Sequence, residues 1–254
     1  MTTFIALLHR DLRVVRRELV SFLLRVVLNP LMFTFIFGFV MPRMGIIQKG
    51  YADMLLPGIL GLSMTLSSMQ AVALPLVIDF GWSKEIEDRL LAPINMTWIA
   101  IEKVIAGAIQ AAIAGLVVIP MAWLVLRPGV EIHIGDPLLF LLIVLLVSGF
   151  SACGGLALGC SINQQHIGLM FGMVITPMIF FGCTYYPWNA LDKFPILQKA
   201  VLINPLVYAS EGMRAMLVPN FPHLSIVAVL AALVFFDVLL LVLGLRQFEK
   251  KAIS

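Results

Sequence analysis

Charge is scarce in this 254-residue sequence. Asp, Glu, Lys and Arg together make up 12% of it, about half of what a soluble domain carries, and 61% is hydrophobic. Four stretches, 26–42, 54–78, 104–126 and 137–191, contain none of those four residue types. With a mean hydropathy of +1.03, such a chain is excluded from the freely soluble globules. A disulfide framework is also missing: Cys153, Cys160 and Cys183 all fall in apolar stretches, lack metal-ligand spacing and read as small packing residues. No Gly-x-x-x-x-Gly-Lys-Ser/Thr phosphate loop occurs, so the chain has no recognisable grip on ATP and energy for any transport comes from another subunit or an ion gradient. His9, His133, His166 and His223 stand near span ends or in loops, with no arrangement of Ser, Cys or carboxylate that points to a nucleophile or a metal, which argues against an enzyme. The net charge of +3 is too small and dispersed for a nucleic-acid partner. No repeat, linker or low-complexity tract divides residues 1–254, and the arginines at 10, 13, 16 and 17 predict that no signal peptide is cleaved.

What is present is a series of long apolar runs. A bilayer-spanning helix needs about 20 apolar residues, so the four charge-free stretches hold one, one, one and two spans, and a sixth runs over 224–245, interrupted only by Asp237. Segments this long and rich in Leu, Ile and Val are helices rather than the alternating strands of a barrel. The expected fold is therefore an all-α integral membrane protein of six transmembrane helices. Eleven Lys and Arg fall on the side that holds both ends of the chain, against six on the other, which predicts cytoplasmic termini.

The polar segments between the runs carry more information. Over residues 1–19, Phe4, Leu8, Leu12, Val15 and Leu19 recur at helical spacing opposite Arg10, Arg13 and Arg17, as in an amphipathic helix lying on the membrane. Between Asp79 and Lys103 lies one substantial cytoplasmic loop. In it, Ser83 caps a short helix over 83–93 with an acidic first turn, and Pro93 ends it. Externally, 186–217 holds pieces too short to cross: Asn204 followed by Pro205 starts a helix of 206–217, on which Glu211 and Arg214 are spaced to pair. Ser63, Ser67 and Gln70 make a polar stripe on the second span, open to two readings: lining a passage or bonding to neighbouring helices. Small residues recur on the third span (Gly107, Ala111, Gly115) and the fourth (Ser151, Gly155, Gly159), as close packing requires. Asp237 is a carboxylate inside a span, either part of a gradient-driven carrier or a tie between helices.

Two of these segments carry a family resemblance. The run Glu85, Ile86, Glu87, Asp88, Arg89, Leu90, Leu91 and Pro93, with Lys103 opening the next span, resembles the cytoplasmic coupling helix of type-2 ABC exporter permeases. One departure is Ile86, which stands where members of that family often carry Gly-Thr. Gly182, Pro187, Leu191, Pro195, Asn204, Pro205, Tyr208, Glu211 and Arg214 resemble the same family's external re-entrant hairpin. The resemblance covers the whole chain. It implies a cell-membrane permease, in a bacterial inner membrane, that pairs with a second copy of itself or a paralogous permease and with a separate cytoplasmic ABC ATPase holding ATP and Mg. Glu85, Glu87, Asp88, Arg89, Leu90 and Pro93 would meet that ATPase, with Arg13, Arg16 and Arg17 as helpers. It also implies export of a drug, antibiotic or lipid-like cargo, or of a polysaccharide or lipid-linked glycan, for which Tyr185, Tyr186 and Trp188 stand at the outer mouth.

Overall fold

A computed structural model describes residues 2–17, 19–46, 50–81, 95–126 and 135–253. All regular structure among them is helical. Helix α1 covers Thr2–Arg17 and α2 covers Leu19–Phe33, continued by a π-helical turn at Thr34–Val40 and by Met41–Arg43. Then follow α3 (Tyr51–Gly81), α4 (Met96–Leu126), α5 (Pro137–Ser161), α6 (Ile167–Phe180), α7 (Pro195–Ala200), α8 (Pro205–Leu217) and α9 (Ile226–Ile253). Five stretches are long and apolar enough to cross a bilayer: Leu19–Arg43, α3, α4, α5 and α9. The segment expected as the fifth of six spans is shorter. Its 14 residues rise about 21 Å against a hydrocarbon core of about 30 Å.

Helix α3 is the axis of the bundle, packed against α4, α5 and α8. Its most apolar window is 61% buried by protein, whereas that of α9 is 11% buried and leaves most of its surface for lipid. The small residues on α5 bring it close to α3: a Cβ on Gly155 would stand 2.9 Å from the Met69 carbonyl oxygen, and one on Gly159 2.9 Å from the Ala73 Cα. Main chain thus lies on main chain, the packing that substitutes for the hydrophobic effect between helices in lipid. By contrast, Gly107 and Gly115 on α4 receive the side chains of Val72 and Met64.

One end of the bundle gathers the ends of several helices. Phe80 stacks edge-on against Phe248, Lys251 donates to the Ile162 carbonyl (3.0 Å), and the Thr97 hydroxyl donates to Glu249 (3.2 Å). Helix α1 joins the same end through Phe4 against Trp98. The flanking helices reach further than the sequence predicts: α3 runs through Asp79 to Gly81 and α4 begins at Met96, so Lys103 sits two turns inside a helix.

At the opposite end the chain between α6 and α9 folds into the bundle. Pro187, Pro195 and Pro205 each stand at the start of a short helical turn or helix. Asn204 caps α8, its Oδ1 accepting from the Leu206 amide (3.0 Å), while its Nδ2 donates to the Met178 carbonyl (2.7 Å) and fixes the end of α6. The spacing expectation for α8 is met, and its surroundings are protein. Leu206, Val207 and 209–217 are all buried, against α3, α5 and α9. Glu211 and Arg214 pair there, fully enclosed. Glu211 also accepts from the amides of Trp188 and Leu224, both at 2.9 Å, and Arg214 donates to the carbonyls of Cys183 (3.1 Å) and Met54 (3.5 Å). Cys183 itself falls beyond the end of α6, in a turn with φ +50°, instead of inside a span. That turn brings the Thr184 carbonyl onto Gly58, where a Cβ would stand 1.9 Å away.

Glu211→Leu leaves a buried guanidinium uncompensated and is expected to cost about 3–5 kcal/mol, read as a lower unfolding midpoint in detergent. The double variant Glu211→Leu, Arg214→Met is expected to recover most of that loss. A double variant no more stable than the single would mean that the bonds to backbone, not charge balance, set the cost.

Candidate functional site

A cavity of about 1130 Å³ lies beside α3, walled by α1, α2, α4 and the end of α6. Its lining runs along α3 from Ile59 to Asp79, a rise of about 30 Å, comparable with the hydrocarbon thickness of a bilayer. Helices α5 and α9 contribute nothing to it. The wall from α2 is apolar and includes Phe22, Val26 and Pro30, the last inside the helix, where it removes one backbone donor. Three residues after Pro30, the aromatic side of this wall begins. Phe33 and Phe37 stack on each other (centroids 6.1 Å apart) and meet Tyr185 at 5.3 and 6.2 Å, closing the end next to Tyr51, whose hydroxyl donates to the Tyr185 carbonyl (2.8 Å). Phe37 lies in the π-helical turn, a local widening often found at functional positions.

The other end is charged and internally balanced. Arg10 and Asp11 on α1, Asp79 on α3 and Lys103 on α4 line it, two cations and two anions. Lys103 is 6% exposed and ion-paired with Asp11 at 2.5 Å, and Arg10 approaches Asp11 at 3.6 Å. A lysine two turns inside an apolar helix is costly unless paired, and here its partner comes from the amphipathic helix. The amphipathic reading of α1 is thereby extended: its polar face supplies an ion pair to the bundle, and Val15 packs against the core.

The polar stripe is in this wall. Ser63, Ser67 and Gln70 all line the cavity, with the Ser63 hydroxyl turned back to the Ile59 carbonyl (2.7 Å). Asp237 is elsewhere: it rests half-buried on α9 against α5, where Gly149 makes room, since a Cβ there would stand 2.5 Å from its Oδ1. The expected coupling residues Glu85, Glu87, Asp88, Arg89, Leu90 and Pro93 lie outside the described residues. None of Pro187, Pro195, Asn204, Pro205, Glu211 and Arg214 lines the cavity: Glu211 and Arg214 are buried beyond its Tyr51 end, Pro187, Asn204 and Pro205 are partly buried, and Pro195 is exposed. Among the described residues no group of three or more His, Cys, Asp or Glu is arranged to hold a metal. Sequence reasoning missed Gln110, which lines the cavity from α4 and is a lone amide in the run 104–126, and it named Tyr185 but missed Phe33 and Phe37, which join it at the aromatic end and for which spacing carries no signal.

Cavity access is testable by thiol labelling, because Cys153, Cys160 and Cys183 are all buried and burial pushes the Cys183 thiol up to about 12. Ser67→Cys is expected to add one N-ethylmaleimide by intact mass, while wild type and Ser68→Cys, at a fully buried neighbour, add none. Equal labelling at 67 and 68 would mean that the stripe does not face open space.

Comparison with the curated proteins gives no match. The family model of the ABC-2 type transporters matches residues 2–218. That stretch runs from α1 to the end of α8 and includes every wall of the cavity. On this evidence the chain belongs to the ABC-2 type transporter family, as a multi-pass membrane permease of the ABC transporters and not their catalytic subunit.

Proposed function

We propose that the chain is the permease subunit of an ATP-driven exporter that moves a hydrophobic or amphipathic molecule out of the cytoplasm or the inner leaflet. The observation that carries this reading is the cavity: it is as long as a bilayer is thick, slightly larger than a typical small-molecule site, and apolar except for a few placed polar groups. Permeases of this family generally work with an ABC ATPase subunit. The coupling segment 83–93 is the natural contact for it, through Glu85, Glu87, Asp88, Arg89, Leu90 and Pro93, with Arg13, Arg16 and Arg17 nearby on α1. Its anchors support this, because Gly81 and Asn95 bracket the segment at the same end as α1 and the end of α9.

In this reading that end is cytoplasmic, the membrane is a bacterial inner membrane and two permeases assemble side by side. Six crossings are completed by α6. The chain leaves α5 beside Lys251 and, by Met178 and Tyr185, is bonded to Asn204 and Tyr51 at the far end of the bundle. A glycan cargo is the second reading, favoured by the ring cluster of Phe33, Phe37 and Tyr185. A gradient-driven carrier is disfavoured, since Asp237 is on a helix that contributes nothing to the cavity.

Copurification from the native host followed by mass spectrometry is expected to recover an ABC ATPase with a permease dimer; a complex without any ATPase would defeat the proposal. Reversing charge in Glu85→Lys, Glu87→Lys is expected to leave insertion and ATP hydrolysis in place while transport falls. Asp237→Asn is expected to keep ATP-driven export at the wild-type level, and a pH-dependent flux abolished by that change would revive proton coupling.

A further inference from the structure

The middle of the cavity carries three accessible polar side chains, Ser67, Gln70 and Gln110. Ser67 and Gln70 are one turn apart on α3, half-buried and turned to the cavity. Gln110 enters from α4 at the same level. Gly107 of α4 lies against Val72 and Ser68, and Gly115 against Met64, so the antiparallel register places residue 110 opposite the turn of Ser67. Among the described residues, none of the three forms a hydrogen bond with another protein group, unlike Ser63, whose hydroxyl is satisfied by Ile59. Their donors and acceptors are reachable from the cavity and not committed to other protein groups, so two amides and a hydroxyl facing one space are available to a molecule that enters it. A core built only for packing would have leucine at these positions.

We propose that Gln70 and Gln110, with Ser67, form an uncharged hydrogen-bonding subsite that reads the polar group of a neutral amphipathic cargo. This rests on the export reading above and narrows its substrate class. The ligand carries hydroxyl or carboxamide groups, each able to donate and accept, beside an apolar body that lies along Phe22, Val26 and Leu66. Net charge is selected against from two directions. The amides offer no countercharge, and the four ionised residues at the charged end balance each other, with Lys103 already held by Asp11. The aromatic end then meets the apolar body or the face of a ring as the cargo moves outward.

The subsite can be tested with three dodecyl probes that share a mid-chain diazirine and differ in head group: maltoside, trimethylammonium and sulfate. Purified protein in phosphatidylcholine nanodiscs is photolysed, and crosslinks to 59–78 and 103–110 are counted by mass spectrometry. The maltoside probe is expected to label these peptides about tenfold more than either charged probe, the effect of two neutral hydrogen bonds. Gln70→Leu, Gln110→Leu is expected to reduce it to the level of the charged probes, and Gln70→Asn, Gln110→Asn to retain more than the leucine pair. Equal labelling by all three head groups in wild type would overturn the proposal without needing any variant, as would a leucine pair labelled like wild type. ATPase association is scored on the same preparations. Head-group selectivity without an ATPase would sink the export reading and leave the subsite standing, and an ATPase without selectivity would do the reverse.

Discussion

Hydrocarbon gives a turning backbone no hydrogen-bond partner, so a chain that bends at membrane depth has to bring partners with it. Glu211 and Arg214 do this for the far end of the bundle. Between them they bind two amides and two carbonyls from four separate places in the chain, Trp188, Leu224, Cys183 and Met54. Neither charge would tolerate this burial alone, and each is neutralised by the other. The pair lets α8 occupy the interior, and α8 in turn holds the start of α3 and the turn after α6. The aromatic end of the cavity inherits its shape from this, because Tyr185 is two residues beyond the carbonyl that Arg214 grips.

The cavity is separated from that scaffold by α3, which serves both. One face of α3 carries Gly58 under the Thr184 carbonyl and Met69 and Ala73 under the glycines of α5. Another face carries Ser67 and Gln70 into open space. A helix held rigidly from behind is a suitable support for polar groups that have to meet a moving molecule, since their position does not depend on flexible loops. Helix α1 has the opposite character. Most of its surface is exposed, yet Asp11 reaches into the bundle for a lysine, so the surface helix is tied to the cavity wall by charge as well as by the contact of Phe4 with Trp98.

Much of this was legible because lipid imposes simple demands. Charge-free runs became helices, Asn204 and Pro205 became a helix start, and the spacing of Glu211 and Arg214 became a pair. The ends of runs were harder to read. Residues 137–191 have no charge, so nothing in composition marks the stop at Phe180 or the turn at Cys183; the stop depends on a bond from Asn204 to Met178, 26 residues away. Lys103 was assigned to the opening of a span because a bare charge belongs at an interface, and the partner that moves it inward stands 92 residues earlier. Gln110 was hidden among apolar neighbours, and only the register of α3 and α4 puts it beside Gln70.

The shortness of α6 has a consequence for the surrounding lipid. Leu169, Met173 and Val174 are exposed on a helix about 21 Å long, while α3 and α9 exceed 40 Å on the same scale. Acyl chains that fit the long helices are too tall for this flank, and the mismatch costs fractions of a kcal/mol for each ångström. On the proposed reading in which α6 completes the sixth crossing, bilayer thickness bears most on this flank, and thin or easily compressed bilayers fit it better than thick ones.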